Sequence, residues 1–411
     1  MMLDIVFRGV TAPLRLNGAE AVLEVLPGVA VGWPYDCVKA DPSVAPFFTI
    51  SSEPGTALLR CDCHVEDRPS QRFDPVNAVC DAVSALALAL PAEHPGLICL
   101  HAAGVALGGR LVIFPNVRRA GKSTLSAALA RAGHPVFSDD VVPVFLSEGG
   151  HGYGLAMGLS PRLRLPLPEA LGAGFADWVG SVSGPGNRQY RYLTPPDQPA
   201  HGAVLPIGAF VILDRRDTPG PASLQAVSPD VAMDVLLHQN FTRDRHSADI
   251  LSAIAKVLAE RPAFTLSYAG LDDAVACLEA AFADWPGSKP SADPGPARAF
   301  RQADFAARPA AKKATGGLLV QRAGCLSVPI GDRLYLADAE GRAIHRMDPL
   351  AAAIWSLVEE PIRTDAILEI LTEAFPDVEP DRLAADLNAL VRRLVGAGLV
   401  ESRAVPGSAT P

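Results

Sequence analysis

A chain of 411 residues, 49% apolar and 20% charged, is long enough for two or three globular domains and excludes a wholly disordered or fibrous protein. Its formal net charge of −9, with no strongly basic block, argues against nucleic acid as the main partner. No apolar run approaches the ~20 residues that span a bilayer. Met1–Arg8 also lacks the pattern of a secretory signal, so the expected location is the cytoplasm, with no membrane partner.

Residues 1–95 read as short strands and turns followed by a helix, a β-rich region packed on what comes next. Asn77–Leu90 is apolar at helical spacing, and Pro91 is expected to close it. Cys61 and Cys63 fall on an alternating strand with no second ligand pair. The seven scattered cysteines are therefore expected to be ordinary thiols rather than a zinc site.

Residues 96–283 form the expected central domain. Arg110–Phe114 is a compact apolar strand, Pro115–Gly121 a loop, Lys122–Ala132 a helix stopped by Gly133, and Pro135–Phe137 another strand. This is a βαβ arrangement, and it predicts a sheet covered by helices. Leu163–Leu167 and Ile207–Leu213 read as strands, and Ala232–Leu237 and Ala248–Ala259 as helices. Ser181–Pro196 is expected to be an exposed loop.

The loop carries the chemistry. A phosphate loop asks for Gly, four residues, then Gly-Lys-Ser/Thr, so that a row of backbone N–H groups faces phosphates at a helix N-terminus. Gly121-Lys122-Ser123 is present, and Asn116 stands at the first glycine, where its tolerance of left-handed backbone angles is expected to preserve the turn. The predicted nucleotide-binding residues are Asn116, Arg118, Arg119, Ala120, Gly121, Lys122, Ser123 and Thr124, and Lys122 would reach the β- and γ-phosphates. Asp139-Asp140 follow the next strand, where ligands bind in open α/β sheets. One carboxylate could hold Mg²⁺ and the other could orient or deprotonate a hydroxyl. Arg162, Arg164, Arg188 and Arg191 could bind substrate or nucleotide, but each alone reads rather as a surface residue.

His101 and Gly104, the Gly121-Lys122-Ser123 loop, Gly133-His134 and Asp139-Asp140-Val141 together resemble the HPr kinase/phosphorylase family. The similarity is closest to the HPr-kinase-related proteins of peptide-modification clusters, including those that phosphorylate lasso-peptide precursors. The resemblance implies a P-loop kinase core that uses ATP and Mg²⁺ to phosphorylate serine. It assigns Lys122 to the phosphates, Ser123 and Asp140 to the metal, Asp139 to the general base, and His101 to a position against the catalytic aspartate. The sequence departs from the family at Asn116, at Thr124 and in the His101-Ala-Ala-Gly104 spacing. The signature tied to phosphorylase activity is not recognisable after residue 150, so kinase activity alone is expected.

Residues 284–315 are rich in Pro, Ala, Gly, Ser and Lys and read as a linker. Residues 316–403 form a second compact unit, expected to be an α+β winged-helix-like domain. Its predicted strands are Leu318–Arg322, Arg333–Ala337 and Ala343–Met347, with Gly398–Ser402 as a candidate last strand. Its helices begin after Asp348, at Asp365 (capped by Thr364), and at Pro380, with Leu383, Leu387, Leu390, Val391 and Leu394 on one stripe. Residues 404–411 read as a disordered tail. A DNA-binding winged helix is disfavoured by 11 acidic against 7 basic residues between Gly341 and Arg403.

The strand pair Leu318–Val328 and Asp332–Ala337, Ile344-x-x-Met347-Asp348-Pro349, Ile354-Trp355 and Leu394-x-x-x-Gly398-Leu399-Val400 resemble the PqqD-like family of precursor-peptide recognition domains. That resemblance implies capture of a leader peptide as an added strand, near Ala343–Met347 and the helix Pro380–Val395. The expected partner is therefore a precursor peptide or a small HPr-like protein, and the resemblance allows a homo-oligomer. The alternative reading is a nucleotide-switched peptide chaperone or scaffold without catalysis.

Overall fold

The structure, a computed structural model, describes residues 1–116, 120–242, 244–286, 294–305 and 317–403. Arg118, Arg119, parts of the expected linker and the expected tail lie outside the described residues. The chain divides into two compact units, Met1–Arg243 with Val257–Ala299, and Asp244–Lys256 with Phe300–Pro411. The helix Ser247–Glu260 thus contributes residues to both.

The first unit opens with a six-stranded sheet in the order Tyr35–Lys39, Met2–Phe7, Leu14–Asn17, Phe48–Ser52, Leu59–Cys63, Gln71–Phe73. Alternation along these strands sends Ile5, Phe7, Leu14, Leu16, Phe48 and Ile50 into one core with the helices Val22–Val29 and Pro75–Glu93. Asp74 caps the second helix by accepting from the Val76 and Asn77 amides at 2.9 and 3.1 Å. Pro91 does not close that helix, which runs on to Glu93. Its ring occupies the last turn, where little helix remains to be disrupted. At 19 residues and a mean hydropathy of 1.5 it is long and apolar enough to cross a membrane, contrary to the sequence expectation. Its apolar residues, Val79, Leu86 and Leu90 among them, are buried in this core.

The second sheet has nine strands. Its path runs Val136–Ser138, Ala102–Leu107, Arg110–Pro115, Val204–Arg215, Gly152–Leu155, Val142–Leu146, Ile98–Leu100, with Ala263–Tyr268 also on Val204–Arg215 and Ser223–Ala226 outside it. Arg110–Pro115, Val204–Arg215 and Ala263–Tyr268 run parallel. The strand after the loop helix does not lie beside Arg110–Pro115. Ala102–Leu107 is inserted between them, antiparallel to both. Ser181–Pro196 is not simply an exposed loop, because Tyr190–Tyr192 pairs with Arg162–Arg164 and buries Tyr192.

The start of the expected linker and its described middle stretch are packed. Trp285 donates from Nε1 to the Leu107 carbonyl at 2.9 Å and stacks on Phe282, and the Arg298 amide donates to the Leu146 carbonyl. Aromatic side chains set in a Pro- and Ala-rich stretch find apolar partners that average composition conceals.

The second unit holds six strands among its described residues rather than the predicted few, in two sheets of three. One is Ile362–Arg363, Leu318–Gln321, Val400–Arg403, and the other Leu326–Ile330, Arg333–Ala337, Ile344–Met347. The expected pairing of Leu318–Val328 with Asp332–Ala337 holds for the second part of the first segment, which pairs with Arg333–Ala337, while Leu318–Gln321 falls in the other sheet. Leu326–Ile330 takes the place beside Arg333–Ala337 through a tight turn at Gly331, whose φ is +56°. The helices Pro349–Leu357, Thr364–Ala374 and Pro380–Gly396 close the core, with the predicted leucine stripe buried. Thr364 is the first helical residue rather than the cap, and Arg363 takes the cap position.

Candidate functional site

Topology alone gathers the predicted residues. Arg110–Pro115 and Val136–Ser138 are both antiparallel to the strand between them, so their C-terminal ends reach the same edge of the sheet. The intervening strand starts at that edge, directly after His101. Asn116, the helix start at Gly121-Lys122, Asp139-Asp140 and His101 therefore meet at one end of the sheet, the end at which open α/β sheets bind ligands.

Gly121 caps the helix Lys122–Arg131 with φ +94°, a left-handed geometry that only glycine adopts without strain. The helix carries no acidic residue in its first turn, so its positive end is left for an anion. Lys122 is buried and donates from Nζ to the Asn116 carbonyl at 2.6 Å, which holds the ammonium across the loop. Ser123 and Thr124 are half-buried in the first turn.

Asn116 does not take the left-handed angles expected of it, because Asp244 is the one non-glycine with positive φ among the described residues. Its side chain instead behaves like an added peptide group. Nδ2 donates to the Leu213 carbonyl at 3.1 Å, and Oδ1 accepts from the Leu213 amide at 2.8 Å. The buried amide thus extends the pairing between the loop strand and Val204–Arg215, which a glycine could not do. With its nitrogen turned toward them, the Gln239 amide reaches the carbonyls of Asn116 and His101 at 3.1 and 3.2 Å.

The two carboxylates differ sharply. Asp139 is 7% exposed. Its Oδ2 accepts from the Arg162 amide at 2.9 Å, and its Oδ1 has no hydrogen-bond partner among the described residues. Burial, reinforced by the neighbouring Asp140 charge, pushes its pKa up to about 6, against the pull of the Arg162 amide and the nearby Ser123 hydroxyl. The side chain of Asp140 is 56% exposed, with Oδ1 3.2 Å from His101 Nε2 and Oδ2 3.7 Å from the Arg162 guanidinium. Partial burial pushes its carboxyl up, but the His101 hydrogen bond and the charges of Arg162, His101 and Lys122 outweigh that and hold it below the ordinary aspartate value. His101 thus lies against Asp140, not against Asp139 as the resemblance implied.

Arg162, read from sequence as a surface residue, reaches both carboxylates, one through its backbone and one through its side chain. Its guanidinium lies 4.6 Å from the Tyr190 ring centroid and touches the Cys80 thiol. Arg191 turns away, donating to the carbonyls of Val179 and Val182. Gln239 is a site residue that sequence reasoning missed, and Arg162 is one that it set aside as surface. Neither sits in a motif, and each arrives through long-range packing.

Among the described residues no three His, Cys, Asp or Glu side chains gather as a metal cluster. A nucleotide-bound Mg²⁺ needs only one or two protein oxygens beside the phosphates. The unpartnered Asp139 oxygen next to the Ser123 hydroxyl fits that requirement. A surface cavity of about 590 Å³, lined by Phe7, Arg8, Tyr35, Asp36, Glu93 and His94 among others, includes none of the predicted site residues.

The family profile described as "Coenzyme PQQ synthesis protein D (PqqD)" matches residues 333–400, so this part of the second unit is similar to PqqD. No curated protein matches the chain. Among solved structures, the HPr(Ser) kinase/phosphatase from Coxiella burnetii is similar at 15% identity and a TM-score of 0.20, over 39% of this chain and 94% of that one.

Proposed function

We propose that the chain is an ATP- and Mg²⁺-dependent serine kinase acting on a ribosomally made precursor peptide held by its PqqD-like domain. The observation that carries this reading is the meeting of three elements at one sheet edge. These are a glycine-capped helix N-terminus with Lys122 and Ser123, a buried carboxylate with an unpartnered oxygen, and a second, accessible carboxylate backed by His101. Serine as the acceptor rests on the sequence resemblance.

The geometry favours an exchange of roles between the aspartates. Asp139, buried beside Ser123, is suited to a cation, which would relieve the cost of its desolvated charge. Ser123 and Asp139 would hold Mg²⁺, which when bound neutralises charge building on the phosphates. Asp140 is the exposed carboxylate, so it can reach an incoming hydroxyl and accept its proton. His101 and Arg162 fix the orientation of Asp140. Lys122 and the helix N-terminus hold the phosphates in line. Such a centre works by positioning and electrostatics, as phosphoryl transfer demands.

The PqqD match supports a peptide partner. Ile344–Met347 ends its sheet and pairs on one side with Arg333–Ala337. An extended peptide could add along the other side, with backbone hydrogen bonds supplying affinity. Capture on the same chain raises the effective concentration of the acceptor hydroxyl.

The test is incubation of the full chain with γ-labelled ATP, Mg²⁺ and the small peptide encoded beside its gene. Label on a peptide serine, lost in Lys122→Ala, is the expected outcome. Tight binding of both nucleotide and peptide with no transfer would replace the kinase with a nucleotide-switched scaffold.

A further inference from the structure

Tyr268 ends the parallel strand Ala263–Tyr268, at the same sheet edge as the phosphate loop. It is 2% exposed and packs in the core that also holds Leu125 and Leu129 of the loop helix. Its hydroxyl stands beside the start of the helix Lys122–Arg131, 3.1 Å from where a Cβ on Gly121 would lie. The backbone behind it is anchored, since the Arg216 amide donates to the Tyr268 carbonyl at 2.8 Å and Arg216 donates to the Ser267 hydroxyl at 2.9 Å. Arg215 is the register partner of Tyr268 on the neighbouring strand, and its charge acts on the phenol.

The geometry points to Tyr268 as a further phosphate-binding residue, its hydroxyl donating to a phosphate oxygen of the nucleoside triphosphate held by the loop. This rests on the nucleotide site proposed above. The fold explains why a tyrosine is suited there. The ring stays in the core that also holds the loop helix, while the hydroxyl stands beside Gly121 at that helix's N-terminus. A donor fixed in place by packing loses no side-chain freedom when the phosphate arrives. Gly121 is then constrained twice, by its left-handed backbone and by the hydroxyl that a side chain would crowd.

Tyr268→Phe keeps the ring and removes the donor. We measure displacement of a fluorescent ADP by ATP with Mg²⁺ and by inorganic pyrophosphate, in wild-type and variant full-length chains, with melting temperature as the check on folding. A hydrogen bond to a charged group predicts about tenfold weaker binding of both ATP and pyrophosphate with the melting temperature unchanged. Equal affinities in the two chains overturn the assignment. A loss for ATP but not for pyrophosphate also overturns it, because the hydroxyl would then serve the nucleoside end. Wild-type chain that binds neither compound removes the nucleotide site itself, and this inference with it.

Discussion

Asp139 and Asp338 are buried aspartates, one from each unit, and the two are treated differently. Asp338, in the PqqD-like unit, is 1% exposed and heavily bonded. Its Oδ1 accepts from the amides of Arg342 and Ala343 at 2.6 and 3.2 Å and from the Ser247 hydroxyl at 3.4 Å, while Arg342 Nε lies 3.9 Å from Oδ2. Asp139, in the phosphate-loop unit, is nearly as buried but leaves one oxygen with no partner among the described residues. Burial is therefore not the mark of function. A buried charge whose hydrogen bonds are complete ties turns together, whereas one left incomplete is set for something that arrives later.

The largest expected effect lies in paired substitutions. Asp139→Asn should lower phosphoryl transfer by about 10³-fold, within the range for losing a group that holds transition-state charge. It should also stabilise the nucleotide-free chain. The Asp139 pKa rises from 3.8 to about 6 on folding. Between about pH 4 and pH 6 the folded chain holds a proton that the unfolded chain releases, so this group's contribution to stability falls as pH rises through that window. At pH 7 the burden is at most about 3 kcal/mol, and the asparagine removes it. Asp338→Asn should act in the opposite sense, destabilising by about 2 kcal/mol because bonded donors lose a charged acceptor. Urea unfolding of both variants checks the signs, and two shifts in the same direction would break the comparison.

A change of pH sharpens it. If Asp139 holds Mg²⁺, protonation below about pH 6 should weaken metal binding by up to about tenfold per unit. Transfer should then fall on the acid side, with a midpoint that moves to lower pH as Mg²⁺ is raised. A midpoint indifferent to Mg²⁺ would return Asp139 to the role of general base. Asp140, held below the ordinary aspartate value, stays ionised through this range.

The smallest effect concerns the loop's first position. Asn116→Gly restores the usual phosphate-loop glycine but removes two hydrogen bonds to Leu213. It should cost about 1–2 kcal/mol in stability rather than improve the site. Unfolding midpoints that rise would show the amide pairing to be dispensable.

The contrast also marks what the sequence could reveal. The loop, the helix after it and Asp139-Asp140 are contiguous, and residue types at fixed spacing made them legible. So did the leucine stripe of Pro380–Gly396, because helical periodicity is local. The insertion of Ala102–Leu107 between two strands that the βαβ pattern set side by side was not legible, nor was the pairing of His101 with Asp140. Both depend on strand order, which no short window encodes. Arg162 was set aside as surface for the same reason. Its two contacts with the acidic pair span a separation of more than 20 residues, through a strand whose partner, Tyr190–Tyr192, lay in a stretch rich in Gly and Pro. Asn116 was given a backbone explanation because its amide partner, Leu213, is 97 residues away.

The central claim is that the accessible carboxylate, Asp140, accepts the proton of a peptide hydroxyl while the loop holds ATP. Single-turnover transfer from γ-labelled ATP to the captured peptide, comparing wild type with Asp140→Asn, tests it most directly. The account predicts transfer by the wild type and a loss of at least about 10²-fold in the variant, with nucleotide and peptide binding preserved. Transfer at equal rates in the two chains, or none in the wild type with both ligands bound, would contradict it.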